Sequence, residues 1–297
     1  MPIDTDSGAP RCPGPDLAPH GPTRFELPSG AVDTHAHVIG EPPIDAFVAQ
    51  RSYTPPPATA QQYLQMLDRT GMRHGVLVQV SVHGTNNRLL REVLRSQRER
   101  LRGIGVMPLG LPASEYEDAR ADGIVGLRLN VLYGGGIGLD ALQAYGALAR
   151  DMGWHLQILM DVRELAPVAS TIARLPVPVV FDHMGHFPAS CGVQEPGFGL
   201  LTQLVRDGAW VKLSGAYRLD AGPGYESTVP LARMLMDAAP TRCVWGSDWP
   251  HVAHWKPMMN VGDLLDLLAH WVPDAAQRRG VLVDNAWRLY GFGDPSG

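Results

Sequence analysis

Eight short apolar runs rich in β-branched residues recur along the chain, and between them the apolar positions switch to a three-to-four spacing. The runs are 31–38, 75–82, 103–109, 125–132, 155–160, 177–183, 210–213 and 242–247. Each has the length of a strand buried on both faces, so the alternation predicts βαβ units around a parallel sheet. The intervening helical faces are traced by Tyr63, Leu64 and Leu67, by Leu89, Leu90, Val93 and Leu94, by Leu142, Tyr145 and Leu148, and by Leu201, Leu204 and Val205. Thr59 with Gln62 forms a capping box for the first helix, and Gly153 and Gly208 stand where the fourth and sixth should stop. Segment 114–122, between the third and fourth strands, carries the weakest helical pattern.

Eight such units in a chain of 297 residues suit a closed barrel, with an open doubly wound sheet as the alternative. The expected fold class is α/β: a single (β/α)8 TIM barrel over 29–297, preceded by an extended N-terminal arm, 1–28, rich in Pro and Gly. Helix-to-strand links are short, as at 71–75 and 208–210. The segments leaving the first, fourth, sixth, seventh and eighth strands are long, and in a barrel they share the carboxyl face, where enzymes of this fold place their sites.

Charge and cysteines narrow the partners. A formal charge of -5 and a pI near 6.1 offer no basic field for nucleic acid or an anionic membrane, so a small-molecule partner is expected. Cys12, Cys191 and Cys243 are odd in number and widely spaced without a CxxC pair, which suggests reduced thiols in a cytoplasmic protein. The arm has no apolar stretch that could serve as a signal peptide, and no run of about 18 apolar residues suggests a membrane span.

The chemistry gathers at strand ends. Asp33-Thr34-His35-Ala36-His37 closes the first run, and an i, i+2 pair on a strand points both imidazoles to one face, the lumen of the barrel. Alone, HxH is explained as well by hydrogen-bonded core histidines as by ligands or catalytic groups. The sixth run ends Phe181-Asp182-His183-Met184-Gly185-His186, and the eighth leads into Trp245-Gly246-Ser247-Asp248-Trp249-Pro250-His251. Three imidazoles and a carboxylate at the tops of strands one, six and eight can converge in one pocket, which favours a functional reading. Arg128 lies inside the fourth strand, where a buried guanidinium needs either an internal acid such as Asp182 or a bound carboxylate. Arg218, on the loop after the seventh strand, is either solvated or a second such clamp.

The motifs DTHAHV, DHMGH, GSDWPH and VDNAWRLYGF resemble the amidohydrolase superfamily in its amidohydrolase-related branch of lactonases, over essentially everything after the arm. Val80-Ser81-Val82-His83-Gly84-Thr85-Asn86-Asn87 and Lys212-Leu213-Ser214-Gly215-Ala216-Tyr217-Arg218 look like the 2-pyrone-4,6-dicarboxylate lactonases, a group that includes sugar-acid lactonases and muconolactone hydrolases. The resemblance implies a hydrolase that opens the ring of a carboxylated lactone, with Asp248 as base and later proton donor. His35, His37 and His183 would polarise the carbonyl, directly or through one divalent ion. Arg128 and Arg218 would clamp a carboxylate, with Ser81, His83, Tyr53, Tyr217 and His186 as further substrate contacts. No metal is expected to be required; the alternative is one zinc ion held by His35, His37, His183 and Asp248.

Two-metal members of the superfamily use a carboxylated lysine or a glutamate on strand four and a histidine on strand five. This chain has Arg128 and Gln157 there, and His155 sits too early in its strand to reach the carboxyl face. The pyrone-dicarboxylate pattern also has arginines where Tyr133-Gly134-Gly135-Gly136 and His186 stand. A dianionic pyrone would lose two charge-assisted contacts worth about 1.5–3 kcal/mol each, so a less charged lactone is expected. The glycine run is expected to open space for a bulkier ring or to form a flexible lid. The competing readings are a zinc-dependent nonoxidative decarboxylase of the same branch and a noncatalytic barrel that only binds.

Overall fold

The computed structural model describes residues 8–293; residues 1–7 of the expected arm and 294–297 of the expected barrel segment lie outside them. Among the described residues eight parallel strands follow one another around a single sheet: β1 (Val32–Ala36), β2 (His74–Val78), β3 (Leu101–Gly105), β4 (Ile124–Asn130), β5 (His155–Leu159), β6 (Val179–Phe181), β7 (Trp210–Leu213) and β8 (Cys243–Trp245). Helices α1 (Ala60–Thr70), α2 (Arg88–Ser96), α3 (Ala113–Asp122), α4 (Leu142–Met152), α5 (Ala166–Ile172) and α6 (Pro196–Arg206) alternate with them. After β7 come a short α7 (Ala216–Leu219) and α8 (Val229–Ala238); after β8 come α9 (Val261–Trp271), α10 (Ala275–Arg279) and α11 (Asn285–Tyr290). The fold is the (β/α)8 barrel that the alternation predicts. No helix among the described residues is long and apolar enough to cross a membrane.

Most strands are shorter than their apolar runs. Val80, Val82, Val106 and Met107 are buried but lie beyond the ladders, because the loops at the carboxyl face are themselves packed and continue the apolar pattern past the last strand pairing. The capping box at Thr59 and Gln62 is present, and Gly153 takes the left-handed conformation at the end of α4. α3 buries only Tyr116 and Ala119 of its apolar side chains. Its last residue, Asp122, accepts hydrogen bonds from Arg91 (2.6 Å) and Arg95 (2.8 Å) of α2, so this helix is seated by charge as well as by packing and its apolar periodicity is weak.

The amino end of the barrel is apolar. Val32, Val76, Val78, Ile104, Val180 and Val244 form one cluster with Trp210 and with Tyr290 of α11. His155, paired with Gly126 at the start of β5, stands edge-on to Tyr290 with ring centroids 5.3 Å apart, at the closed end and away from the carboxyl face. The arm is pinned across the opposite loops: Arg11 bridges Thr54, Trp255 donates to the Arg11 carbonyl at 2.7 Å, and Asp266 of α9 accepts from Thr23 and Arg24.

Between β8 and β1 the sheet closes largely through side chains. Thr34 Oγ1 donates to the Trp245 carbonyl (2.8 Å), Asp248 N to the His35 carbonyl (2.8 Å), and His37 N to the Trp249 carbonyl (2.8 Å). The carboxylate of Asp33 accepts from Ser247 N (2.8 Å), Ser247 Oγ (2.7 Å) and, across to α1, Tyr63 OH (3.1 Å). Gly246 makes the approach possible, since a Cβ there would lie 2.6 Å from the Cβ of His35.

Burial pushes the Asp33 carboxyl up to about 6 against the pull of its donors. A carboxyl raised in the folded state contributes stability below its unfolded value, near 4, and loses that contribution as pH rises through the folded value; the difference corresponds to about 3 kcal/mol. Asn cannot titrate, so between about pH 4.5 and 7 the stability of Asp33→Asn should improve relative to wild type by roughly 2 kcal/mol. Urea unfolding at the two pH values checks this, and a pH-independent gap would contradict it.

Candidate active site

The carboxyl ends of β1, β6, β7 and β8 bring His35, His37, His183, Lys212 and Asp248 together, and all five are buried. The Nε2 atoms of His35 and His37 each lie 3.8 Å from Asp248 Oδ1, and Nε2 of His183 lies 3.6 Å from Oδ2. The rings pack on one another, with centroids 5.0 Å apart for His35 and His37 and 4.7 Å for His35 and His183. Backbone geometry aims these groups, because His183 (φ 50°) and Asp248 (φ 62°) adopt left-handed conformations that are uncommon outside glycine.

The two oxygens of Asp248 are unlike. Oδ2 accepts from Tyr217 OH at 2.7 Å and Arg218 Nε at 2.5 Å, whereas Oδ1 and His35 Nε2 are buried without a hydrogen-bond partner. Burial pushes the Asp248 carboxyl up, but Arg218, His183 and His35 outweigh it and hold the group well below the usual carboxylate range. Burial also lowers the imidazoles, His35 to about 4 with help from Lys212, and His37 and His183 well below their ordinary value, so they are neutral at pH 7.

Beneath the imidazoles runs a buried polar layer. Asp182 meets Arg128 Nη2 at 3.4 Å, Lys212 Nζ at 3.5 Å and the side chain of Gln157 at 3.1 Å. Arg128 thus has the internal acid that its place in a strand calls for, but only by long contacts: Nη1 is 3.5 Å from the Gln79 carbonyl, and Nε has no partner. Arg218 is not solvated. Its side chain is 6% exposed, and besides Asp248 it donates to Tyr133 OH (3.1 Å) and the Val252 carbonyl (3.2 Å), so all three of its nitrogens are engaged within the protein.

The other sequence-derived contacts divide. Tyr53 and Ser81 are joined at 3.2 Å, and the ring of Tyr133 stands edge-on to Tyr53 and to His186, with centroids 5.7 and 6.3 Å away. His186 faces His183 at 6.0 Å. His83 turns instead to the loop after β1, where Gly40 N lies 3.2 Å from its Nε2 and Phe47 packs on its ring. The run Gly134, Gly135 and Gly136 neither opens space nor forms a loose lid. A Cβ at these positions would lie 1.8 Å from the Gln50 carbonyl, 2.2 Å from the Ser81 carbonyl and 2.6 Å from the Asn130 carbonyl, so the glycines let three loops pack backbone against backbone. The same loop carries Tyr133 to Arg218.

Sequence reasoning passed over Lys212, Tyr133 and Ser214, whose Oγ is 2.9 Å from His183 Nδ1. The signal for Lys212 was available: a lysine in the run Trp-Val-Lys-Leu is as much in need of a partner as Arg128. Tyr133 had none, being one loop residue among many.

Among the described residues two clusters could hold a metal ion by residue type, His35, His37 and Asp248, and His35, Asp182 and His183. Nitrogen and carboxylate donors suit a single zinc ion. The surroundings fit it poorly, for a guanidinium already rests on Asp248 and an ammonium lies 3.1 Å from His35 Nδ1. In the layer where a second ion would sit, Lys212 itself is bonded to Gln157 at 2.8 Å.

A parallel barrel with ionisable groups converging at its carboxyl face is the arrangement of a barrel enzyme's active site. The amidohydrolase family profile matches residues 32–292, and the chain belongs to that family. It is 35% identical to a 4-sulfomuconolactone hydrolase of Rhizobium radiobacter over 98% of this chain and 99% of the relative. It is 32% identical to a 2-pyrone-4,6-dicarboxylate hydrolase of Comamonas testosteroni over 90% of this chain and 92% of that one. A crystal structure of a probable 2-pyrone-4,6-dicarboxylic acid hydrolase from Acinetobacter baumannii with citric acid bound superposes with a TM-score of 0.80 at 29% identity, covering 88% of this chain and 99% of that chain. The protein is a hydrolase.

Arg218→Met removes the main partner of a buried carboxylate. It should cost about 3–5 kcal/mol of stability, as loss of one member of a buried pair does. It should also raise the Asp248 carboxyl and move the acid limb of the pH–rate profile upward; thermal unfolding and the profile measure the two effects separately.

Proposed function

We propose that the protein hydrolyses the ring ester of a lactone bearing one carboxylate, with Asp248 as general base and without a required metal. The observation that carries the mechanism is the divided Asp248 carboxylate: Oδ2 is locked by Arg218 and Tyr217, while Oδ1 is free and faced by two imidazole nitrogens at 3.8 Å. Asp248 takes a proton from water as the water oxygen bonds to the lactone carbonyl carbon, and the carbonyl electron pair moves onto its oxygen beside the imidazoles. Collapse of that oxyanion breaks the ring carbon–oxygen bond, and the proton held by Asp248 passes to the leaving oxygen. Water is thereby added across the ester, giving a ring-opened acid. A carboxyl held well below its usual range is a weak base but a strong proton donor.

The placing of the buried cations supports both the substrate and the lack of a metal. Around the neutral imidazoles the buried carboxylates Asp33, Asp182 and Asp248 face the cations Arg128, Lys212 and Arg218, so the buried charges balance. Cations already standing against Asp248 and His35 disfavour a dication there. Arg128 is the cation whose donors are least engaged, and we assign it the substrate carboxylate; Arg218 serves Asp248. The lactone hydrolases among the relatives support the reaction class.

The test is a pH-indicator assay on a panel of carboxylated lactones, run with chelator-treated protein and again with added zinc. Turnover is expected in both. Asp248→Asn leaves Arg218 buried without its carboxylate, so it should unfold at a lower temperature than wild type, and below that temperature it should lose about 10³–10⁴ in kcat, near the upper range for a general base. Arg128→Met should raise KM for carboxylated lactones by roughly 10- to 100-fold with little change in kcat, the value of a charge-assisted contact. Activity only with zinc, accompanied by carbon dioxide release, would instead assign nonoxidative decarboxylation.

A further inference from the structure

Three site imidazoles have one ring nitrogen held by the protein, and the partners differ in what they can do. The Val78 carbonyl only accepts, so His37 Nδ1, 2.8 Å away, carries the proton and Nε2 presents a lone pair. The Ser214 hydroxyl at His183 Nδ1 suits either tautomer. His35 is a third case, because its Nδ1 lies 3.1 Å from Nζ of Lys212, and an ammonium only donates.

The ammonium's protons are fully accounted for. Lys212 is completely buried and has three acceptors for its three protons: the Thr34 carbonyl at 2.8 Å, Gln157 Oε1 at 2.8 Å and His35 Nδ1. Asp182 Oδ1 stands 3.2 Å from the same ring nitrogen, for which it competes with Lys212, and 3.5 Å from Nζ, farther than the ammonium's three acceptors.

We propose that Lys212 is a positioning residue that holds His35 as the Nε2–H tautomer, making it a hydrogen-bond donor toward the reacting oxygen and withholding the lone pair a metal ion would need. The HxH pair is therefore unsymmetrical: beside Asp248 Oδ1, His37 brings a lone pair and His35 a proton. A metal-bound imidazole ordinarily donates its other N–H to a carboxylate or carbonyl, and an ammonium in that place imposes the opposite polarity. What the donor acts on rests on the lactonase reading; the tautomer does not.

Nitrogen-15 NMR of histidine-labelled, chelator-treated protein reads the tautomer, with the His35 signals identified by their loss in His35→Gln. Wild type should show His35 protonated at Nε2 and accepting at Nδ1. In Lys212→Met the Nδ1 proton should turn to Asp182, the tautomer should reverse, and zinc affinity by titration calorimetry should tighten roughly 10- to 100-fold, as changes in second-sphere partners do. An Nδ1-protonated His35 in wild type overturns the proposal, as does a folded Lys212→Met with unchanged tautomer and zinc affinity. Should that variant fail to fold, the wild-type spectrum decides alone. Absence of lactone turnover with the expected tautomer would fault the functional reading and leave this one standing.

Discussion

The closure between β8 and β1 is the constraint on which the rest of the molecule depends. The strands pair in sequence order from β1 to β8, but the last seam is made by Asp33 gripping Ser247, by Thr34 and by backbone bonds at His35, His37, Asp248 and Trp249. The same bonds set the distance from Asp248 to the imidazoles of β1, so barrel and site share one set of interactions. Gly246 shows how tight the seam is, because even a methyl group there would strike His35.

Polar groups inside a barrel are tolerable only when their charges and protons balance, and that requirement explains the layer below the imidazoles. Asp182 collects Arg128, Lys212 and Gln157, while Asp248 collects Arg218 and Tyr217. Burial lowers Lys212 to about 8 and the imidazoles further, so at pH 7 a charged framework stands beneath neutral imidazoles. Arg128 has the loosest contacts in the layer, with its nearest acceptors at 3.4 and 3.5 Å.

Loops complete the enclosure by backbone packing. The turn at Gly134 to Gly136 fits against the loops after β1 and β2 with no room for side chains, and so delivers Tyr133 between Tyr53, His186 and Arg218. The arm adds a further strap from Thr54 to Trp255. Contacts of this kind fix the outline of the space above the imidazoles, and hence which substrate fits it.

The sequence by itself determined the strand and helix order, the barrel, and the positions of His35, His37, His183 and Asp248, because burial on both faces of a parallel strand and the two-residue pleat leave a periodic record in local composition. It also marked Arg128 as a buried charge that had to be answered. Only the tertiary structure decided who answers whom: that Arg218 serves Asp248 and is not solvated, that His83 faces the loop after β1, that Lys212 stands beneath His35, and that a glycine run read as open space is a dense junction. Those outcomes depend on proton and charge pairing between residues far apart in the chain and on backbone approach between loops, and neither leaves a periodic signal in a single strand of text.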